Sequence, residues 1–411
     1  MKRILYASMQ LPWPVDNGQK FVTVNDLTYL SRYCTIDLVS YIDPINLPRQ
    51  EESLAELRKR LPNVNVLPPV VHTILHGSLF KHKLPALVRG QLLRIPFVVS
   101  KYRSKKYLRQ IVQLMQAHYY DVLYIESVNS SFILDEMPAT CLAGVKVIYR
   151  AFDVFAETLT LYARELGFSP AGLAVRADLL ACHSYERRLW QRADAIFTVT
   201  RRLGQLMVDE LPAIRNKIIY FPVFVEPASC RAAPERAGPR LLYVGTVHYP
   251  PNLLGLKWFL NECWPLIRQR VPEARFDVVG RGGEALLPVP DGVRVHHYVE
   301  RLDAYYQEAA AFVVPLFSGS GIRLKILDAL NHGVPVVSTR AGYAGLEVTE
   351  GEELLVADDA PGFAEHVCRL LSNPAERSRL AARGQAFIES NHLSALASKL
   401  IEEMLRRIND A

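Results

Sequence analysis

The sequence predicts an α/β protein of two doubly wound parallel-sheet domains, and three observations carry that prediction. At 411 residues the chain exceeds the roughly 250–300 residues that one hydrophobic core organises. Both halves alternate short apolar strands with helical stretches over short connections, the pattern of parallel sheets covered on both faces. Between the halves, Pro222 to Gly238 holds three prolines and small polar residues and reads as a linker. Domains are therefore expected over 1–225 and 236–394.

In the first half, Arg3 to Ser8 reads as a strand. The loop Gln10 to Gly18 is fixed by Pro12 and Pro14, closes on an Asn17-Gly18 turn and opens a helix over Gln19 to Tyr33. Cys34 to Tyr41 is the next strand. Arg58 to Tyr120 reads as helical segments broken at Pro68-Pro69, Pro85 and Pro96. Asp121 to Glu126 and Val145 to Arg150 are apolar, β-branched strands, and Glu126 stands at a strand's C-terminal end, where open α/β sheets place ligands. A helix over 171–193 and strands over Ala195 to Thr200 and Lys217 to Phe221 close this half.

The second half restarts the alternation. Leu241 to Val244 is a strand, Gly245 to Asn252 a loop, and Leu253 to Arg268 a helix. Strands follow over Arg275 to Val279, which ends in the turn Gly280 to Gly283, and over Val293 to His296. Ala311 to Leu316 leads through Ser318-Gly319-Ser320-Gly321 into a helix over Ile322 to Asn331, then a strand over Pro335 to Ser338. Glu352 to Val356 is the last strand, and Asp358-Asp359 cap the helix opening at Pro361.

Hydrophobic residues make up 50% and charged residues 22%, the balance of a globular chain with a large core. No run reaches the roughly 18 apolar residues of a membrane span, and MKRILYASM turns into a strand too early for a signal peptide. The six cysteines are scattered without a CxxC pair, so they read as reduced thiols in a cytoplasmic protein and no zinc site is expected. The net charge of +6 is concentrated: Leu57 to Tyr120 carries twelve Lys or Arg and no acid, with Phe80, Phe97, Tyr102 and Tyr107 interleaved. A solvated face is the usual meaning of a charge run. Sixty-four residues without one acid favour an anionic partner instead, a lipid surface or a phosphate-bearing acceptor. Nucleic acid is not expected, since no nucleic-acid-binding motif accompanies the charge. Lys101, Arg103, Lys105, Lys106 and Arg109 are the cluster assigned to that surface.

The strand, glycine-rich turn and helix over 315–339 form a potential anion site, because unpaired backbone N–H groups converge there and glycines permit close approach. Arg323 and Lys325 oppose the helix dipole at that end, which a bound anion would explain. The alternative left open is a Lys325–Asp328 pair at i,i+3 with Arg323 facing solvent.

The segment GSGIRLKILDALNHGVPVVST resembles the donor-binding segment of glycosyltransferase family 4, whose fold is GT-B: two Rossmann-like domains facing across a cleft. Members carry Glu-x7-Glu here, followed by Gly-x-Pro-Val-Val-x-Thr. Asp328 falls on the second Glu, which binds the nucleotide ribose, while Ser320 replaces the first. A subset with Gly-x-x-x-Lys-x-Leu-Glu-Ala is more similar. Gly245-Thr246 through Asn252 resembles the loop Gly-x-Met-x-x-x-Pro-Asn but holds no Arg or Lys, leaving Arg323 and Lys325 to meet the phosphate charge. Gly18 and Lys20 occupy the family's first-strand loop, and Phe152 replaces a His near the reacting sugar, with Asp153 beside it.

The resemblance implies Arg323, Lys325 and Asp153 as catalytic residues. It implies Gly18, Gly245, Thr246, Gly280, Tyr298, Ser320, Gly321, Ile322 and Asp328 as donor-binding residues, with no cofactor and no metal. It also implies a final helix over about 395–411 that crosses back to the first domain. The expected activity is transfer of a sugar from a nucleotide sugar to a lipid-linked or glycan acceptor with retention of configuration, in cell-surface polysaccharide or glycolipid assembly, on the inner face of the membrane. Charge develops on the sugar as an oxocarbenium, and closure of the domains excludes water. Two other readings stand. A sugar-nucleotide epimerase would need no acceptor, against which the basic stretch argues. A non-catalytic partner subunit would fit the changes at Ser320 and Phe152.

Overall fold

The computed structural model describes residues 1–15, 17–72, 95–229, 238–297, 299, 301–318 and 323–410. It divides into two compact units, Met1–Val223 with Ala397–Ala411, and Phe224–Leu396.

The first unit is built on seven parallel strands. In chain order these are β1 (Lys2–Ala7), β2 (Cys34–Val39), β4 (Val64–Val66), β6 (Val122–Glu126), β7 (Lys146–Ala151), β8 (Ala195–Thr198) and β9 (Ile218–Tyr220). Their spatial order is β4-β2-β1-β6-β7-β8-β9, so the winding reverses between β1 and β6. A two-stranded pair, β3 (Tyr41–Ile42) with β5 (Val70–Val71), lies apart from it. The central strands are buried over nearly their whole length, which is why they read as continuous apolar runs rather than alternations.

The structure departs from the sequence reading at Val64–Val71 and at Phe155–Glu165. Val64 to Val71 forms the short strands β4 and β5 within a stretch expected to be helical, and in β4 the two valines are buried while Asn65 is exposed. Phe155–Glu165 is a helix the sequence did not disclose. Its first N–H groups are received by Glu186, on the helix Pro170–Arg192, through Phe155 N at 2.8 Å and Ala156 N at 3.1 Å. A cap delivered from another helix leaves no local signature.

One buried ion pair ties this unit together. Arg150, at the end of β7, is 0% exposed, and its guanidinium meets the Asp26 carboxylate at 2.9 Å and 3.0 Å. Arg150 also donates to Phe221 O at 2.8 Å, and Tyr124 donates to Asp26 at 3.0 Å. Burial works against the guanidinium's charge, and the Asp26 carboxylate more than restores it, so the pKa of Arg150 is raised.

The second unit holds six parallel strands: β10 (Arg240–Val244), β11 (Arg275–Val279), β12 (Val293–His296), β13 (Ala311–Val314), β14 (Val336–Ser338) and β15 (Leu355–Val356). The spatial order β12-β11-β10-β13-β14-β15 reverses between β10 and β13. On one side of this sheet Phe259, Trp264, Phe276 and Phe363 form a buried aromatic core. The helix expected over 253–268 runs from Pro250 to Arg270 but widens into a π-turn at Phe259–Cys263. Pro265 has no N–H to give to the turn before it, and the widening lies at that turn. The first residues of the expected linker are anchored: Val225 bridges to Leu393, with Val225 N donating to His392 O at 2.8 Å.

Candidate functional site

The C-terminal ends of β10, β11 and β13 converge at the reversal point of the second unit, the position where open α/β sheets bind ligands. The loops leaving β10 and β11 continue the parallel ladder beyond the strands: Gly245 N donates to Val279 O at 3.0 Å and Val247 N to Arg281 O at 2.8 Å. Two glycines make this possible. At Gly280, with φ of 148°, a Cβ would lie 1.9 Å from Gly245 O, and at Gly245, with φ of 155°, it would lie 2.9 Å from Lys325 Nζ. Only glycine holds these positive φ values without strain. On the far side, Thr339 Oγ1 donates to Leu316 O and receives Gly342 N at 3.0 Å, fixing the end of β14 to that of β13.

Lys325 enters this site from the helix Leu324–Asn331. Its Nζ donates to Tyr243 Oη at 2.7 Å and to Asn252 Oδ1 at 3.2 Å, and lies 4.2 Å from the centre of the Tyr243 ring. Asn252 in turn donates through Nδ2 to Thr246 O at 2.7 Å. The structure thus brings Gly245, Thr246, Gly280 and Lys325 together. Arg323 precedes the helix and donates to Ser318 O at 3.1 Å and Ala341 O at 3.4 Å. It is half-buried rather than turned to solvent. Nor does Lys325 pair with Asp328: among the described residues no carboxylate lies within salt-bridge reach of it. Burial, and then the charge of Arg323, push the Lys325 pKa down to about 7, while burial lowers that of Arg323. Two cations held this way in one low-dielectric corner favour an anion.

Asp328 stands one turn further along the same helix. Among the described residues no hydrogen-bond donor reaches its carboxylate, although its carbonyl receives His332 N at 3.0 Å and lies 2.8 Å from His332 Nδ1. Burial pushes the carboxyl up to about 6, with His332 opposing. Tyr306, stacked on His332 at 4.2 Å, is a near neighbour whose pKa is raised by burial and then by this carboxylate. The remaining donor-side residues, Tyr298, Ser320, Gly321 and Ile322, lie outside the described residues.

In the first unit, Gly18 opens the helix Gly18–Leu30, whose cap Asn17 receives Lys20 N at 2.9 Å. Lys20 Nζ donates to Pro14 O at 3.1 Å, so it braces the loop it follows. Glu126 fills the reversal point between β1 and β6. It accepts from Ser8 Oγ at 2.5 Å, Met9 N at 3.3 Å and Tyr6 Oη at 3.4 Å, and also from Thr23 Oγ1. Those donors turn it inward as a tie between β1, its loop and the first helix. Burial still pushes its carboxyl up to about 7. Asp153 sits between β7 and the helix Phe155–Glu165, half-buried, with no hydrogen-bond donor to its carboxylate among the described residues. Burial, reinforced by Glu157, pushes it up to about 6.

The basic cluster divides. Lys105, Lys106 and Arg109 are exposed on the helix Lys105–Ala117. Lys101 lies 5.5 Å from the Tyr102 ring, and Arg103 is held by Glu136 at 2.6 Å. Arg103 is therefore committed to an internal pair.

Sequence reasoning did not find Tyr243, which lies inside a strand. Asn252 only closes a loop motif, and it is the fold that shows Lys325 reaching both.

Residues 238–373 match the family described as glycosyl transferases group 1. This stretch is similar to group 1 glycosyltransferase domains. It contains all of the second-unit site described above. A protein of Klebsiella pneumoniae named as an uncharacterized 44.6 kDa protein in the cps region is 29% identical over 163 residues, covering 37% of this chain and 42% of the relative. The D-inositol 3-phosphate glycosyltransferase of Nocardiopsis dassonvillei is 28% identical over 248 residues, covering 54% and 56%. The match thus spans about half the length of these curated relatives. The Anabaena protein Alr3699/HepE, solved in complex with UDP and glucose, superposes with a TM-score of 0.63 at 13% identity over 99% of this chain and 100% of that one. The fold is GT-B. Among the described residues no helix is long and apolar enough to cross a membrane.

Proposed function

We propose that the chain transfers a sugar from a nucleotide sugar to an acceptor, with retention of configuration, in the assembly of a surface polysaccharide or glycolipid. The observation that carries this reading is the seat of Lys325: a cation without a carboxylate partner among the described residues, set against Gly245 at the sheet's reversal point. The departing diphosphate gains negative charge as the glycosidic bond breaks, and Lys325 and Arg323 are placed to stabilise it. Asp328 receives the ribose hydroxyls, and Asp153 serves the acceptor side. The two cations supply the compensation a metal would provide, so no metal is required. The name of the Klebsiella relative supports the polysaccharide setting, and the UDP-bound neighbour makes UDP the first nucleotide to try.

The test is a thermal-shift panel of UDP, GDP, ADP and TDP sugars in EDTA, followed by sugar transfer to lipid-linked and soluble glycan acceptors. Stabilisation by one nucleotide series and turnover in EDTA are the expected results. Binding without turnover on any acceptor would favour a non-catalytic subunit, and turnover without acceptor an epimerase.

Asp328→Asn keeps the size of the side chain and removes its charge. Donor KM should rise roughly tenfold, the worth of a charge-assisted hydrogen bond, with little change in melting temperature. An unchanged KM would remove Asp328 from the ribose site.

The acceptor side is proposed to meet an anionic membrane surface through Lys105, Lys106 and Arg109. Each such residue contributes about 1 kcal/mol near an anionic leaflet. The triple Ala variant should therefore lose most co-sedimentation with anionic liposomes, and high salt should weaken binding of the parent protein. Equal partitioning to neutral and anionic vesicles would instead assign the patch to a soluble partner.

A further inference from the structure

The Lys325 ammonium is held by neutral groups. Tyr243 supplies a hydroxyl at 2.7 Å and a ring face at 4.2 Å, and Asn252 supplies an amide oxygen at 3.2 Å. Lys325 is half-buried, and a lysine in such a setting more often has a carboxylate beside it, because a bare charge at low dielectric is costly. Asn252 is itself 8% exposed, and its two hydrogen bonds fix which way the amide points: Oδ1 toward Lys325 and Nδ2 toward Thr246 O. That one side chain therefore links the Gly245–Thr246 loop to the lysine. Tyr243 is fully buried and its ring is stacked with Phe312, so its hydroxyl is held by the core of the sheet.

We infer that Tyr243 and Asn252 are positioning residues that form a neutral seat for Lys325, and that Asn252 also registers the Gly245–Thr246 loop against it. The inference rests on the donor-site reading above. A neutral seat orients the ammonium without neutralising it, so the bound diphosphate becomes its counter-charge. A carboxylate at either position would hold the lysine equally well and compete with the ligand. An amide at residue 252 rather than an acid is therefore a specificity device for anions.

Two substitutions separate seating from packing. Tyr243→Phe keeps the ring and loses the hydroxyl, and should weaken UDP binding by roughly threefold to tenfold, the range of one neutral hydrogen bond, without lowering the melting temperature appreciably. Asn252→Asp keeps the acceptor toward Lys325 and adds the missing charge, so UDP affinity should fall by more than tenfold. A ligand-free measurement accompanies both: NMR titration of 13Cε-labelled lysine, with the Lys325 resonance identified by its loss in Lys325→Met. In Asn252→Asp that resonance should titrate at clearly higher pH than in the parent, which a packing defect would not produce. Unchanged UDP affinity in both variants, or a Lys325 titration unmoved by Asn252→Asp, would overturn the seat. If the parent protein binds no nucleotide while the titration still moves, the seat stands as geometry and the donor-site reading fails.

Discussion

Replacing Asp26 by Asn is expected to destabilise the first unit by about 3–5 kcal/mol, the usual cost of stripping one partner from a buried ion pair. Both side chains of the pair are 0% exposed, and the guanidinium cannot shed its proton to escape. It would remain charged between β7 and the helix Gly18–Leu30, keeping Phe221 O as an acceptor but losing its carboxylate. For a unit of this size that loss lowers the melting temperature by roughly 6–20 °C. The contrast is Glu56→Gln, which breaks the exposed i,i+4 pair with Arg60 and should cost only about 0.3–0.5 kcal/mol. Because two units unfold in one chain, the readout should be local: hydrogen exchange in β6 and β7, compared with β10 and β13. Faster exchange confined to the first unit is expected. Asp26→Leu combined with Arg150→Met should recover much of the stability, since a well-packed apolar pair can match a buried ionic one. Equal exchange in Asp26→Asn and Glu56→Gln would show that the pair contributes little.

The strands with long apolar runs were legible in the sequence because burial on both faces leaves a local mark, as in Val122–Glu126 and Ala311–Val314. So was the meeting of strand end, glycine loop and helix around Gly245 and Lys325, since that chemistry is written in short motifs. Three residues of β4 were not legible, because one alternation beside Pro68-Pro69 is too short to separate from a broken helix. The partners of buried polar groups were not legible either. Lys325 finds Tyr243 and Asn252 at 82 and 73 residues' separation, and Arg150 finds Asp26 at 124. Those distances are closed by sheet order, which no local pattern encodes. For the same reason a Lys325–Asp328 pair looked reasonable at i,i+3, whereas in the structure the lysine turns to the adjacent strand ends.

The second large effect is expected at Lys325, and pH exposes it. The group's pKa is pushed from its ordinary 10.5 down to about 7 by burial and by Arg323. In the free protein between those values, the unfolded chain holds a proton on this lysine that the folded chain does not. Its contribution therefore makes the folded state more stable as pH rises from about 7 toward 10.5. A bound diphosphate reverses the bias, because it favours the ammonium. Above pH 7, UDP binding must then draw in a proton, and affinity should fall as pH rises, by at most about tenfold per pH unit. The nucleotide's own last phosphate ionisation, near pH 6, works in the opposite direction and is complete before this window opens. Isothermal calorimetry in buffers of different ionisation enthalpy would count that proton directly. Lys325→Met should bind UDP roughly ten- to a hundredfold more weakly at pH 6.5, the worth of a charge-assisted contact, and its affinity should be flat from pH 7 to 9. Turnover should fall at least as far, because the charge on the leaving diphosphate is greater in the transition state than in the bound donor. A parent protein whose UDP affinity is flat over that window, with no proton taken up, would mean that the ammonium does not face the phosphates.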